Sequence, residues 1–138
     1  MTQAQARTGH GIDADQARTD WIALLQRTRG SNWQRPDTDN YWEHGLDTAP
    51  VERLRELESE KLRAAVRYAY AWIPMYCRKF DSVGLEPGDI RDIEDLEKIP
   101  ITTKQDMSED LAANPPWGSY TAIDDTAWRD RDASCVPS

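Results

Sequence analysis

The side chains that could perform acid–base, nucleophilic or metal chemistry are few in this sequence and lie far apart. The chain has two histidines, His10 and His44, and two cysteines, Cys77 and Cys135. A zinc site needs three or four converging ligands, so this set predicts no metal site. Cys77 is expected to be a small buried apolar residue rather than a nucleophile. With 25 acidic residues, chance carboxylate pairs are unavoidable, and no catalytic residue is identified.

The glycines are equally informative about nucleotide binding. A bound triphosphate is usually held by backbone N–H groups of a glycine-rich turn, with a cation nearby. None of the seven glycines belongs to such a loop with serine, threonine and lysine; they are Gly9, Gly11, Gly30, Gly45, Gly84, Gly88 and Gly118. The sequence therefore predicts no cofactor-binding residue in this chain.

Composition and charge exclude several classes of protein. The chain has 138 residues, 38% of them hydrophobic, with a formal net charge of −8 and a mean hydropathy of −0.81. The negative charge argues against nucleic acid as a partner, because phosphates reward clustered Lys and Arg. No apolar run reaches the ~18 residues of a membrane span, and a polar stretch follows Met1. We therefore expect a cytoplasmic protein that contacts no membrane.

The elements that would position these residues are predicted to be helices. Apolar residues at helical spacing predict a helix over residues 13–29, with Asp13 or Asp15 as its N-cap. The strongest apolar stripe predicts a second helix over residues 50–73. Pro74 should break or kink that helix, because its ring removes one donor and clashes with the preceding turn.

Shorter helices are predicted further along the chain. One covers residues 75–83 and ends at a glycine, and another begins at Asp92. A third is capped by Thr102 or Thr103, with Asp106 in the position that completes a capping box. No sustained strand alternation is present. We expect a mainly α fold, built as a string of four or five short helices joined by proline and glycine turns.

One aromatic cluster is predicted to be a packing or docking face. Trp72 and Tyr76 are four residues apart, as are Tyr76 and Phe80. If Pro74 causes only a modest kink, all three side chains lie near one face. Residues 31–50 are expected to be irregular. We expect the aromatic side chains in that loop to pack against the core rather than contact a ligand; they are Trp33, Tyr41 and Trp42.

Several stretches resemble one enzyme family in their order and spacing. They are Tyr41-Trp42, Leu54 through Leu62, Arg67-Tyr68-Ala69-Tyr70, Pro74 through Phe80, Gly84-Leu85, Asp89-Ile90, and Leu96 through Lys104. Together they cover about half of the chain, and they resemble the opening of phenylacetate–coenzyme A ligases, which are adenylate-forming acyl-CoA synthetases. The resemblance carries over no catalytic residue.

The resemblance implies a fold and an activity for a longer protein. The chain would form the N-terminal helical layer of an α/β adenylate-forming enzyme. Members of the family use ATP, Mg²⁺ and coenzyme A to activate aryl or arylacetic acids in aromatic acid catabolism, with AMP as a product. The loop that holds ATP lies further along the chain in that family. The resemblance therefore implies an N-terminal fragment that is inactive alone.

The resemblance also divides the chain. Residues 1–40 are expected to be an extension with a disordered start and one amphipathic helix. Residues 41–128 form the ligase-like segment, and residues 129–138 are an unmatched, disordered tail that a shortened reading frame would explain. An alternative is a small helical subunit that docks on a separate ligase body, and another is an unrelated helical interaction domain. The expected partner is a ligase body or a second copy covering the apolar face.

Overall fold

The computed structural model describes residues 11–28, 41 and 44–122, and within them the fold is helical with no β-strand. The α-helices are α1 (Ala14–Thr28), α2 (His44–Asp47), α3 (Val51–Trp72), α4 (Pro74–Ser82) and α5 (Lys104–Ala113), and two 3₁₀ helices cover Pro87–Asp89 and Ile93–Lys98. The predicted mainly α class is confirmed.

The first helix begins where the sequence predicts. The carboxylate of Asp13 accepts a hydrogen bond from the backbone N–H of Gln16 at 3.0 Å, so Asp13 rather than Asp15 caps α1. The helix lies against α3, and its inward side carries small or apolar residues, among them the buried Ala14, Ala17 and Leu24.

The junction between α3 and α4 is a break rather than a kink. Ile73 is extended, with φ −114° and ψ 101°, and α4 starts at Pro74 in its first helical position. Proline is well suited to that position because the N–H that it lacks would have no partner inside the helix. Gly84 ends the helix at φ 66°, and the Leu85 N–H reaches the Phe80 carbonyl at 2.9 Å, as in a Schellman motif.

Two sequence predictions were wrong in part. His44 lies in the single-turn helix α2, inside a stretch predicted to be irregular. The helix predicted from Asp92 is a 3₁₀ helix, and the Asp92 side chain does not cap it. The Asp95 carboxylate, inside the 3₁₀ helix, instead accepts a hydrogen bond from the Arg91 N–H at 2.8 Å. This hydrogen bond stabilises the start of the 3₁₀ helix. Side chains and main-chain groups compete for hydrogen-bond partners at the start of such a helix. The spacing of hydrophobic residues gives no information about which partner is chosen.

The core divides into two clusters. One, between α3, α4 and the first 3₁₀ helix, consists of Val66, Tyr70, Cys77, Phe80, Leu85 and Ile90. The other joins α1 to the end of α3 through Ala14, Ala17 and Ala71. Cys77 is 3% exposed, so the prediction that it is a buried small residue is confirmed.

Some predictions concern residues outside the described part of the chain. They include the loop aromatics Trp33 and Trp42, the side chains of His10 and Cys135, and the boundaries at residues 40 and 128, which stay predictions. No helix among the described residues is both long and apolar enough to cross a membrane.

Candidate functional site

The structure separates Trp72 from the other two aromatic residues of the predicted docking face, Tyr76 and Phe80. Phe80 is 2% exposed and stacks on Tyr70 with ring centroids 6.2 Å apart, while Tyr76 lies 6.4 Å from Phe80. Trp72 lies instead against α1, where its indole N–H donates to the Ala14 carbonyl at 2.8 Å. The extended Ile73 interrupts the helical rotation, so residues 72 and 76 do not share one helix face as the sequence argument assumed. A docking role for the three residues stays a prediction.

A buried tyrosine closes the α3–α4 core. The Tyr70 hydroxyl donates to Asp81 at 2.8 Å, and the Cys77 sulfur lies 3.7 Å from the other oxygen of Asp81. Burial first, and then the hydrogen bond to Asp81, raise the pKa of the Tyr70 phenol above its ordinary value. The phenol therefore stays protonated at neutral pH and acts as a hydrogen-bond donor, which is a structural role.

A second polar cluster joins α4, α5 and the chain that follows α5. Asp110 on α5 has a side chain only 6% exposed, and it pairs with Arg78 on α4 at 2.9 Å. The Asp110 carboxylate also accepts hydrogen bonds from the backbone N–H and the hydroxyl of Ser119, and from the Asn114 amide at 3.2 Å. Arg78 in turn donates to the Ser119 hydroxyl at 2.7 Å. All of these donors belong to the same chain, so the Asp110 carboxylate has little capacity left to bind another group.

The start of α5 is fastened to α4 in the same way. Lys79 on α4 contacts the Asp106 carboxylate at 2.8 Å and donates to the Ile101 carbonyl at 2.8 Å. Asp106 also accepts from the Thr103 N–H, and the Thr103 hydroxyl accepts from the Asp106 N–H, which confirms the predicted capping box. Hydrogen bonds from Lys79 and then Thr103 lower the pKa of Asp106 from 3.8 to about 2.

We call this set of contacts the polar bridge, and its members are Arg78, Lys79, Asp106, Asp110 and Ser119. Each acid in it accepts from at least two donors of the same chain. Hydrogen bonds from Lys79 and then Thr103 stabilise the ionised form of Asp106, which makes it a weak proton acceptor. The polar bridge therefore positions α5 and is poorly suited to general base catalysis.

A groove of about 410 Å³ lies between α1, α3 and the first 3₁₀ helix. Its charged lining has both signs, with arginines at positions 63, 67 and 91 and acids at positions 20 and 60. Arg63 donates to the Arg91 carbonyl at 2.5 Å, and Glu60 pairs with Arg27 of α1. Mixed charges that are partly engaged with the chain itself do not select an anion.

The described residues do not fit the ATP and Mg²⁺ that the resemblance implies for a whole ligase. Within residues 11–28, 41 and 44–122, no group of three His, Cys, Asp or Glu side chains could hold a metal ion. The glycines with positive φ there, Gly11, Gly84 and Gly118, are far apart in sequence.

Sequence reasoning did not show which residues of α5 are buried. The Asp110 side chain is 6% exposed, whereas Met107 and Leu111, apolar residues of the same helix, are 41% and 39% exposed. Ile101, which precedes α5, and Trp117, which follows it, are 84% and 43% exposed. The signal that could have indicated this arrangement is the pair of acids, Asp106 and Asp110, at helical spacing.

Known proteins share part of this sequence and fold. No family model matches the chain. The chain is 44% identical over 64 residues to the phenylacetate–coenzyme A ligase of Escherichia coli (strain K12), covering 46% of this chain and 15% of that protein. It is 34% identical over 84 residues to the phenylacetate–coenzyme A ligase of Pseudomonas putida, covering 61% of this chain and 18% of that protein. The chain thus spans less than a fifth of the length of these relatives.

Solved structures give the same result for the fold. A 2-hydroxyisobutyryl-CoA ligase in the postadenylation state, in complex with 2-HIB-AMP, matches 78% of this chain with a TM-score of 0.67 and 27% identity. The same ligase in complex with 2-HIB-AMP and CoA matches 70% of the chain with a TM-score of 0.65. The matched parts are 22% and 20% of those chains. By sequence, this chain is similar to a segment of phenylacetate–coenzyme A ligases, and by fold it is similar to a segment of a 2-hydroxyisobutyryl-CoA ligase, so both comparisons point to adenylate-forming CoA ligases.

Proposed function

We propose that this chain forms the N-terminal helical layer of an ATP-dependent, AMP-forming ligase that joins an aryl or arylacetic acid to coenzyme A. In this proposal the 138-residue chain catalyses neither acyl-adenylate formation nor thioester formation by itself. The cytoplasmic location expected from the sequence is part of the same proposal.

The observation that carries the proposal is that the sequence comparison and the structure comparison both match this chain to a part of a CoA ligase. Identity of 44% over 64 residues to a phenylacetate–coenzyme A ligase supports the substrate class. A TM-score of 0.67 to a CoA ligase that shares only 27% identity supports the helical arrangement independently of the sequence match.

The chemistry of the described residues supports a positioning role rather than a catalytic one. The acids of the polar bridge are engaged by donors of their own chain, and Tyr70 is held in its protonated form by burial and by Asp81. Triphosphate chemistry depends on preorganised donors and cations aimed at the reacting phosphate. The residues on this chain supply apolar surface and rigid helix ends, which is what a supporting layer contributes.

A chimera tests the proposal. Residues 1–122 of this chain replace the aligned N-terminal segment of the Escherichia coli phenylacetate–coenzyme A ligase, and thioester and AMP formation from phenylacetate, ATP and coenzyme A are measured. We expect activity within roughly tenfold of the parent enzyme, since a correctly seated supporting layer changes the barrier by about 1.4 kcal/mol or less. Parent enzyme with the same segment deleted is the control.

An inactive or insoluble chimera would overturn the proposal. The isolated 138-residue chain is measured in parallel, and we expect no pyrophosphate release above the background of a heat-denatured sample. Acid-dependent pyrophosphate release from the pure chain would contradict the assignment of a non-catalytic layer.

A second candidate is a small non-catalytic subunit that docks on a separately encoded ligase body. The observation that favours it is α1, which lies ahead of the ligase-like stretches yet is folded onto α3 through Trp72 and through the Arg27–Glu60 pair. Sequencing of the coding DNA beyond the Ser138 codon separates the two candidates. A ligase body in another frame supports the first, and an independent gene with its own start supports the second.

A further inference from the structure

Ser119, which follows α5, is fastened through its N–H, its carbonyl and its hydroxyl. The N–H and the hydroxyl both donate to the Asp110 carboxylate, and the hydroxyl also accepts from Arg78 at 2.7 Å. The carbonyl accepts from the Met75 N–H at 3.1 Å. Connecting segments ordinarily run over the surface and are held less firmly than the helices that they join. We call this arrangement the Ser119 anchor, and it consists of Ser119, Asp110, Arg78 and Met75.

The Ser119 anchor joins two helices. Met75 lies in the first turn of α4, where backbone N–H groups have no partner inside the helix, and the Ser119 carbonyl satisfies one of them. Asp110 lies in the C-terminal half of α5, and its side chain is only 6% exposed. The chain after α5 is therefore held at the point where the start of α4 and the end of α5 meet.

The turn before Ser119 directs the chain to this point. Gly118 has φ 70°, a conformation that glycine adopts without strain, and its N–H donates to the Asn114 carbonyl at 2.7 Å. A Cβ on Gly118 would lie 2.7 Å from the Asp110 carboxylate, so the main chain passes close to the group that binds Ser119. The position of Ser119 is thus determined by the turn as well as by its own hydrogen bonds.

The Ser119 anchor is not needed to place α5 itself. Asp106 already attaches the start of that helix to α4 through Lys79 at 2.8 Å, and it completes the capping box with Thr103. Asp110 pairs with Arg78 as well. What the hydrogen bonds of Ser119 add to these contacts is a fixed position for the chain that leaves the helix.

We propose that Ser119 and Asp110 are positioning residues for the ligase reaction, because they fix the point at which the chain leaves the helical layer for the catalytic remainder of the enzyme. This inference rests on the proposed function and adds the residues through which the layer acts. Neither residue touches a substrate; both act through the chain that follows. A displacement of about 1 Å at reacting groups can lower a rate by about a hundredfold, so a loosened connection slows the chemical step in enzyme that is still folded.

The test compares two hydrogen-bonded serines. Ser119→Ala removes the hydroxyl of the anchor, and the control Ser59→Ala removes a hydroxyl on α3 that accepts from the Ile93 N–H at 3.0 Å. Asp110→Asn is a second variant of the anchor, because it keeps the shape of the side chain but replaces one acceptor oxygen by a donor. Each substitution is placed in the isolated full chain and in the chimera described above.

In the isolated chain, thermal unfolding is followed by circular dichroism. Ser119→Ala and Ser59→Ala should each lower the midpoint by on the order of 5 °C, since each removes one hydrogen-bonded hydroxyl. The two serine variants are thereby matched in stability.

In the chimera, a single turnover of acyl-adenylate formation from phenylacetate and ATP is measured. Its amplitude counts the active sites, and its rate constant reports the geometry within each of them. We expect both variants of the anchor to lower the rate constant by about tenfold or more, and Ser59→Ala to leave it within about twofold of the unsubstituted chimera. A merely structural role of the anchor would lower the amplitude and leave the rate constant unchanged.

Two results would overturn the positioning role and leave the proposed function standing. One is a loss of amplitude alone in the variants of the anchor, even a complete loss. The other is a rate constant that Ser59→Ala lowers as much as Ser119→Ala does. An unsubstituted chimera without activity would instead overturn the proposed function, and the positioning role with it.

Discussion

The α3–α4 core and the α4–α5 junction are built in opposite ways. Between α3 and α4 the apolar residues Val66 and Phe80 face inward and are 4% and 2% exposed. Between α4 and α5 charged residues meet, and the apolar Met107 and Leu111 stay outside. The difference teaches that the first pair of helices is joined by a hydrophobic core, whereas α5 is joined to α4 by pairs of charged side chains.

The largest expected effect is at the centre of the apolar core. Phe80→Ala removes a ring that stacks on Tyr70 and contacts Tyr76, and it should lower the free energy of unfolding by about 3–5 kcal/mol. Urea denaturation followed by far-UV circular dichroism measures the change. Val83→Ala, at a residue 57% exposed, is the matched control and should cost less than about 0.5 kcal/mol.

If Phe80→Ala lowers the free energy of unfolding no more than Val83→Ala does, the α3–α4 core is not the main source of stability. The predicted role of Phe80 in docking is measured separately, by placing the same substitution in the chimera.

An intermediate effect is expected where the polar bridge meets the following turn. Gly118 has φ 70°, and an added Cβ would lie 2.6 Å from Tyr120 and 2.7 Å from the Asp110 carboxylate. Gly118→Ala should therefore destabilise the chain by about 1–3 kcal/mol through backbone strain and displacement of these groups. Gly88→Ala is the control, because a Cβ there meets nothing within 4 Å.

The measurement is again the midpoint of urea unfolding, together with hydrogen exchange at the Ser119 amide. Unchanged protection of that amide in Gly118→Ala would show that the turn does not depend on the bridge.

The smallest effect concerns pH. The pKa of Asp106 is lowered from 3.8 to about 2, first by Lys79 and then by Thr103, so its contribution to stability is fully present above pH 3.8 and is lost as the pH falls through about 2. The stability difference between the parent chain and Lys79→Met should shrink over that window. Denaturation midpoints at a series of acidic pH values measure it, with Lys104→Met as the control.

A difference between parent and Lys79→Met that stays constant down to the lowest pH would mean that Lys79 does not act through Asp106. The junction between α4 and α5 would then depend on the pairing of Asp110 with Arg78 alone.

Much of the helical framework follows from local sequence. The α1 cap at Asp13, the ends of α3 and α4, and the Thr103–Asp106 capping box each depend on residues within a few positions of one another. Interactions of that range are readable from residue type and spacing, because the groups involved are neighbours in any chain that starts the helix. The 3₁₀ turn after Asp92 was missed because two local hydrogen-bond patterns compete there.

The sequence by itself determined the boundaries of the longer helices, the mainly α class and the resemblance to ligases, since these depend on short-range patterns and on the order of motifs. Only the tertiary structure decided which side of each helix faces inward. The extended Ile73 separates Trp72, which lies against α1, from Phe80, which lies in the core. The pairing of Arg78 with Asp110 across 32 residues turned the Asp110 side of α5 towards α4. Hydrophobic spacing identifies an amphipathic helix, but the partner that a charged side finds elsewhere in the chain decides its orientation.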